Sequence, residues 1–172
     1  MAKLENITMN KAFFLDRDGV IIKDKKYLSE IKEVRFLKQT FKTLKLMKKK
    51  EYLLIIITNQ SAVARGYLTQ KKLKKIHKFL TIKLKNRGIK IDDIYYCPHH
   101  PNVGNKNYKK KCKCRKPGNL MIEKAIAKWN IDRKMSFMIG DKISDKIAAK
   151  KSNVKFLYRS KHNFYKQISR NV

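Results

Sequence analysis

Five short stretches of this chain are wholly or mainly apolar: Ala12 to Leu15, Leu53 to Ile57, Ile94 to Tyr96, Met135 to Ile139, interrupted by Ser136, and Val154 to Leu157, interrupted by Lys155. Between them, near Leu37 to Lys50, Thr69 to Arg87, Leu120 to Trp129 and Ile143 to Lys151, apolar residues recur among lysines at helical spacing. Runs that are apolar on both faces suit strands buried in a parallel sheet, and their alternation with helices predicts an α/β fold with a doubly wound parallel sheet. Thr69, ahead of Gln70, Lys71 and Lys72, is placed to cap the second long helix. Tyr67 and Trp129 read as packing residues.

Length and composition narrow this picture. The 172 residues suffice for one domain over 1–172 with a substantial core, and 42% apolar content is ordinary for a globular protein. No segment is long enough for a large cap domain, so substrate choice falls to loops: Lys23 to Ser29, Ser61 to Leu68, and a cysteine-containing stretch further on. Met1 to Lys11 holds no leader-like apolar run, and nothing approaches the roughly 20 apolar residues that span a bilayer. No membrane partner is expected, and unpaired cysteines point to the cytoplasm.

Charge changes the picture more. Lys plus Arg number 44 against 13 acidic residues, a net charge of +31. Such a field attracts polyanions. The lysines, however, are scattered over every helical segment and do not interleave with aromatics on one face, which favours solvated surfaces over nucleic acid as a physiological partner.

The chemistry sits where strands end. In Phe13-Phe14-Leu15-Asp16-Arg17-Asp18-Gly19, two carboxylates one residue apart follow an apolar run. Asp-x-Asp-Gly is also ordinary turn composition. Hydrolysis of a phosphate monoester needs a nucleophile, a divalent cation and a proton donor. Asp16 can attack phosphorus and ligate Mg²⁺, while Asp18, if the chain turns, can act as general acid and then as base. Three more segments complete such a site. Thr58-Asn59-Gln60-Ser61 ends the second strand with phosphate-binding groups. Arg115-Lys116-Pro117 offers two cations, with the proline helping to start the next helix. In Gly140-Asp141-Lys142-Ile143-Ser144-Asp145, Asp141 stands as a second Mg²⁺ ligand and Asp145 as its support or as a helix cap.

Cys97 and His99, then Cys112 and Cys114 after a gap of twelve residues, use every cysteine of the chain. Four N/S ligands are what structural tetrahedral Zn²⁺ prefers, and free core thiols do not cluster in a Lys-rich loop. A closed site of this kind would hold the loop so that Arg115 and Lys116 emerge in fixed positions. His100 reads as a surface or substrate-side neighbour.

This ordered set, Asp-x-Asp-Gly, Thr-Asn-Gln-Ser, Arg-Lys-Pro and Gly-Asp-x-x-x-Asp, resembles the haloacid dehalogenase superfamily. Within it, Tyr95-Tyr96-Cys97-Pro98-His99-His100-Pro101, Cys112-Lys113-Cys114-Arg115-Lys116-Pro117 and Ser61-Ala62-Val63-Ala64-Arg65-Gly66 are similar to the heptose 1,7-bisphosphate 7-phosphatases. The resemblance implies a monomeric enzyme with catalytic Mg²⁺ and structural Zn²⁺ that releases the 7-phosphate of a phosphorylated sugar on the route to lipopolysaccharide core. It implies Asp16 as nucleophile, Asp18 as acid/base, and Thr58 and Lys116 as stabilisers of the transferring group. Substrate would meet Asp24, Tyr27, Asn59, Gln60, Ser61, Lys142 and Arg115, the last on the second phosphate. Asp16, the Asp18 backbone carbonyl and Asp141 would hold Mg²⁺; Cys97, His99, Cys112 and Cys114 would hold Zn²⁺. Histidinol-phosphate phosphatases share the cysteines but differ after Thr-Asn-Gln, and polynucleotide 3′-phosphatases share two motifs without the zinc loop. A zinc-stabilised nucleic-acid-binding module is a third alternative, opposed by the intact acidic set. The chain departs from the pattern at Lys26, at Gly118 to Met121, and at Ala62, where a usual glycine predicts strain if the backbone requires positive φ.

Overall fold

The structure, a computed structural model, describes residues 8–172; most of the expected leader-free stretch Met1 to Lys11 lies outside them. In chain order the elements are β1 (Ala12–Leu15), α1 (Thr40–Lys49), β2 (Leu53–Asn59), α2 (Ser61–Ala64), α3 (Gln70–Lys85), β3 (Asp93–Cys97), α4 (Leu120–Trp129), β4 (Phe137–Gly140), α5 (Ile143–Lys151), β5 (Lys155–Tyr158) and α6 (Phe164–Ser169). The strands form one parallel sheet in the order β3-β2-β1-β4-β5. The chain winds outward from β1 through β2 to β3, then returns to lay β4 and β5 on the other side. The strand order therefore reverses between β1 and β4, the place where such sheets open a crevice for ligands.

Alternation along each strand builds two cores. Phe13, Leu15, Leu54, Ile56, Phe137 and Ile139 pack with Leu44 and Met47 of α1, Leu73, Ile76, Leu80 and Leu84 of α3, and Phe164 and Ile168 of α6. The opposite positions, Phe14, Ile55, Ile57 and Met138, pack with Met121, Ile122, Ala125, Ala148 and Ala149 of α4 and α5. Phe13 stacks on Phe137 at 5.2 Å and tilts onto Tyr52 at 4.6 Å, tying β1, β4 and the entry to β2 together. No helix among the described residues is long and apolar enough to cross a membrane.

Several expectations are adjusted. The first helix begins at Thr40, not Leu37, because Phe36 and Leu37 pair with Ile22 and Ile21 and Gln39 turns with φ +64°. Pro117 lies outside α4, whose first residue is Leu120, so it does not start that helix. Ala62 sits in the right-handed α2 and is buried; the strain expected there does not arise. Tyr67 is 57% exposed and covers Tyr27 at a ring distance of 4.9 Å instead of entering the core. The Thr69 hydroxyl accepts from the Lys72 N–H and caps α3 as its sequence suggests.

Candidate active site

Asp16 follows β1 directly, and its backbone N–H donates to the Ile139 carbonyl of β4 at 3.0 Å. It is thus fixed at the seam where the sheet reverses. Asp141 follows β4 on the other side of that seam. Gly19, at φ +79°, lets the loop after β1 fold back so closely that any Cβ there would collide with the Asp141 carboxylate. Oxygens of Asp16, Asp141 and Asp145 all lie within 4.8 Å of one another.

Lys116 enters this group from the loop before α4. Its ammonium is 3.1 Å from Asp16 Oδ2 and 2.6 Å from Asp145 Oδ1, and donates to the Ile57 carbonyl at 2.8 Å. Asn59, the last residue of β2, holds the lysine's backbone reciprocally: its amide donates to the Lys116 carbonyl and accepts from the Lys116 N–H, both at 3.0 Å. Asp145 has no solvent exposure and also accepts from the backbone N–H groups of Asp141 and Lys142, capping α5. Burial pushes the Asp16 carboxyl up to about 6 against the pull of Lys116, with the Asp145 and Asp18 charges adding to the rise. Burial likewise raises Asp141, opposed by Lys142.

Three carboxylates converge here, Asp16 and Asp145 buried and Asp141 exposed, and they outnumber the one ammonium inserted among them; the donors are all hard oxygens. That set fits a divalent cation such as Mg²⁺. Asp145 has no solvent exposure and spends one oxygen on Lys116 and the other on the start of α5, so Asp16 and Asp141 are the side chains that would hold the ion.

Asp18 is held differently. The Arg17 guanidinium, 1% exposed, reaches Asp18 Oδ2 at 2.9 Å and Oδ1 at 3.1 and 3.2 Å, Gln60 Oε1 at 2.8 Å and His77 Nε2 at 3.2 Å. The Gln60 amide donates to Asp18 Oδ2 at 3.0 Å and to the Thr58 hydroxyl at 2.8 Å. Thr58 is buried, and its hydroxyl accepts from Gln60. Asn59 and Gln60, expected at the substrate, direct their amides to protein partners even as they line the cleft.

That cleft encloses about 660 Å³ above the carboxylates. Its rim carries Asp24, Tyr27, Ser61, Arg65, His100, Arg115 and Lys142, contributed by the segments that follow β1, β2, β3 and β4. Lys142 pairs with Asp24 at 2.9 Å, and Arg115 donates to the His99 carbonyl at 3.0 Å. Arg65, at the end of α2, lies over the Tyr27 ring at 5.2 Å. Burial makes His100 harder to protonate, and the Arg115 and Arg65 charges add to this.

Sulfur atoms of Cys97, Cys112 and Cys114 lie 3.1 to 3.5 Å apart, and His99 Nδ1 is 3.5 and 3.7 Å from two of them. The edges of a tetrahedron with metal–ligand bonds of 2.0 to 2.3 Å measure roughly 3.5 to 3.8 Å, so the four atoms fit one Zn²⁺ with little adjustment. None of the cysteines is in a disulfide. Burial raises the Cys97 thiol, and its close sulfur neighbours raise it further.

Arg17, His77 and Arg65 were not singled out by the sequence pattern. A signal existed for His77: it occupies a core position of α3 among Leu73, Ile76, Leu80 and Leu84. Arg17 is a cation placed directly after a fully buried strand, a location that demands partners.

Residues 105–158 match the family model described as haloacid dehalogenase-like hydrolase. The chain is 42% identical over 147 residues to a D-glycero-beta-D-manno-heptose-1,7-bisphosphate 7-phosphatase of Pasteurella multocida, covering 86% of this chain and 79% of that one. It is 40% identical to a D-glycero-alpha-D-manno-heptose-1,7-bisphosphate 7-phosphatase of Photorhabdus laumondii, covering 88% and 84%. Among solved structures it is similar to a D,D-heptose 1,7-bisphosphate phosphatase from B. bronchiseptica complexed with magnesium and phosphate, with a TM-score of 0.78, 26% identity, and 94% and 87% coverage.

Proposed function

The chain belongs to the heptose-1,7-bisphosphate 7-phosphatase family of haloacid dehalogenase-like hydrolases, and we propose that it removes the 7-phosphate of D-glycero-D-manno-heptose 1,7-bisphosphate, leaving heptose 1-phosphate for lipopolysaccharide core synthesis. The observation that carries this reading is the placement of Asp16 and Asp141 at adjoining strand ends with the Lys116 ammonium 3.1 Å from Asp16.

Asp16 attacks phosphorus, the bond from phosphorus to the sugar oxygen breaks, and Asp18 gives its proton to that oxygen. The phosphoryl group then rests on Asp16. Water, losing a proton to Asp18, attacks the aspartyl-phosphate and frees inorganic phosphate. Lys116 stands beside the transferring oxygens and offsets their charge, and the Thr58 hydroxyl supports the same group. Bound Mg²⁺, held by Asp16, Asp141 and the Asp18 backbone carbonyl, supplies positive charge that lowers repulsion between nucleophile and phosphate. Zn²⁺ on Cys97, His99, Cys112 and Cys114 supplies only rigidity to the loop that delivers Arg115 and Lys116.

Arg115, Arg65 and Lys142 form the cationic rim that receives the second phosphate, with Tyr27, Asp24 and Ser61 toward the sugar. We read the chain as one domain over 1–172, working as a monomer in the cytoplasm. The scattered lysines speed the arrival of an anionic substrate and need no nucleic-acid partner.

The test compares kcat/KM for both anomers of heptose 1,7-bisphosphate, for histidinol phosphate and for a 3′-phosphorylated oligonucleotide, with Mg²⁺ at physiological salt. A preference of about a hundredfold for one heptose anomer over the other two classes, roughly 2.7 kcal/mol in the transition state, is expected. Preference for the oligonucleotide would overturn the reading and assign the lysines a binding role.

A further inference from the structure

Arg17 is a guanidinium of the site only 1% exposed, set in the lining of the cleft, and its hydrogen bonds run to protein side chains. Of its five N–H groups, Nε–H and one from Nη2 grip Asp18, a second from Nη2 reaches Gln60 Oε1, and one from Nη1 reaches His77 Nε2. Gln60 closes the ring by donating to the same Asp18 oxygen that Arg17 holds. Asp18 thus has both oxygens fixed from one side by a planar fork, which sets carboxylate direction as well as location.

His77 lies behind this fork, on α3, 7% exposed and edge-on to Tyr96 at 5.5 Å. A guanidinium only donates, so His77 Nε2 is the acceptor and the ring proton resides on Nδ1. Burial and the neighbouring Arg17 charge hold His77 neutral far below its ordinary range, down to about 3. Nothing in the phosphatase reaction requires a histidine at this depth, and a leucine or phenylalanine would complete the apolar stripe of α3.

We propose that Arg17 is a positioning residue for Asp18 and that His77 fixes the orientation of Arg17, so that α3, which contributes nothing to the cleft, aims the acid/base carboxylate at the leaving oxygen. This rests on the reading of Asp18 as acid/base. The role is directional: the fork holds Asp18 toward the leaving group in the first half-reaction and toward water in the second.

The test exploits leaving groups. A sugar alkoxide must be protonated as it departs, whereas p-nitrophenolate leaves unaided, and kcat/KM reports only steps through phosphoryl transfer to Asp16. Arg17→Met is expected to lower kcat/KM about a hundredfold for heptose 1,7-bisphosphate but less than about fivefold for p-nitrophenyl phosphate. His77→Leu should shift the same ratio by roughly tenfold, and His77→Gln, which keeps an acceptor for Arg17, should restore it to within about threefold of the parent. Asp18→Asn provides the reference pattern. Equal losses on both substrates in Arg17→Met and His77→Leu, beside a selective loss in Asp18→Asn, would overturn the positioning role. An unselective Asp18→Asn would instead overturn the acid reading, and the positioning with it. Should Arg17→Met show no cooperative melting transition, the ratio between the two His77 variants decides.

Discussion

The Lys116 ammonium lies 2.6 Å from Oδ1 of Asp145, a carboxylate with no solvent exposure, while its other carboxylate neighbour is Asp16 at 3.1 Å. One buried lysine is therefore shared between the proposed nucleophile and a second carboxylate. In the proposed reaction, Asp145 keeps the ammonium in place when Asp16 carries the phosphoryl group and can no longer pair with it as a free carboxylate.

Replacement Asp145→Asn leaves an amide N–H facing that ammonium and removes half of its compensation. Breaking a buried pair on one side costs about 3–5 kcal/mol. Denaturant unfolding is expected to show a loss of that order, with kcat lowered at least about tenfold because Lys116 is no longer anchored. Unchanged stability would mean that Asp16 and the Ile57 carbonyl hold the ammonium without Asp145.

Asp16→Asn keeps the shape of the nucleophile and removes its charge. Phosphate release is expected to vanish, and a rapid-quench trace should contain no phosphorylated protein. Retained turnover would remove Asp16 from the nucleophile's place.

Gly19→Ala strains a backbone at φ +79° and drives a methyl group into the Asp141 carboxylate. The expected outcome is a Mg²⁺ half-saturation constant raised about tenfold or more, with smaller change in kcat at saturating metal, since Asp16 and Asp18 keep their own anchors. A Mg²⁺ titration of activity separates the two.

Zinc removal acts at a distance. Chelation or Cys112→Ser is expected to release about one equivalent of zinc per chain, to lower Tm by roughly 10 °C, and to raise KM more than it lowers kcat, because Arg115 follows Cys114 directly. Activity should return with Zn²⁺ and not with added Mg²⁺.

His77 gives a pH signature. Its folded value, about 3, lies below its ordinary 6.5, so the unfolded chain binds more protons between those limits. The stability linked to it is complete above pH 6.5 and is lost as pH falls toward 3, amounting to about 2 kcal/mol by pH 5. Thermal melts at pH 8 and pH 5 should differ by roughly 4–8 °C less in His77→Gln than in the parent. Identical slopes would show that His77 is not buried as described.

The strands were legible in the sequence because a parallel sheet covered on both faces writes continuous apolar runs; α4 and α5 run over the residues their pattern indicates. The carboxylates were legible because strand ends are where chemistry collects. Four features were not. α6 is six residues long and α2 four, too short for a period to declare itself. Whether Ala62 would be strained depended on the sign of its φ, and α2 gives it ordinary helical backbone. Arg17 and His77 lie 60 positions apart, and their contact exists only once α3 is laid across the sheet.

The two hydrogen bonds between Asn59 and the Lys116 backbone act as a one-residue splice, joining the exit of a long loop to the end of β2 as though a strand continued there. The residues between His100 and Cys112 are consequently relieved of any duty to measure the distance from the sheet to Lys116. They can lengthen, shorten or change charge, and so retune which molecules are admitted, while the lysine stays in step with Asp16.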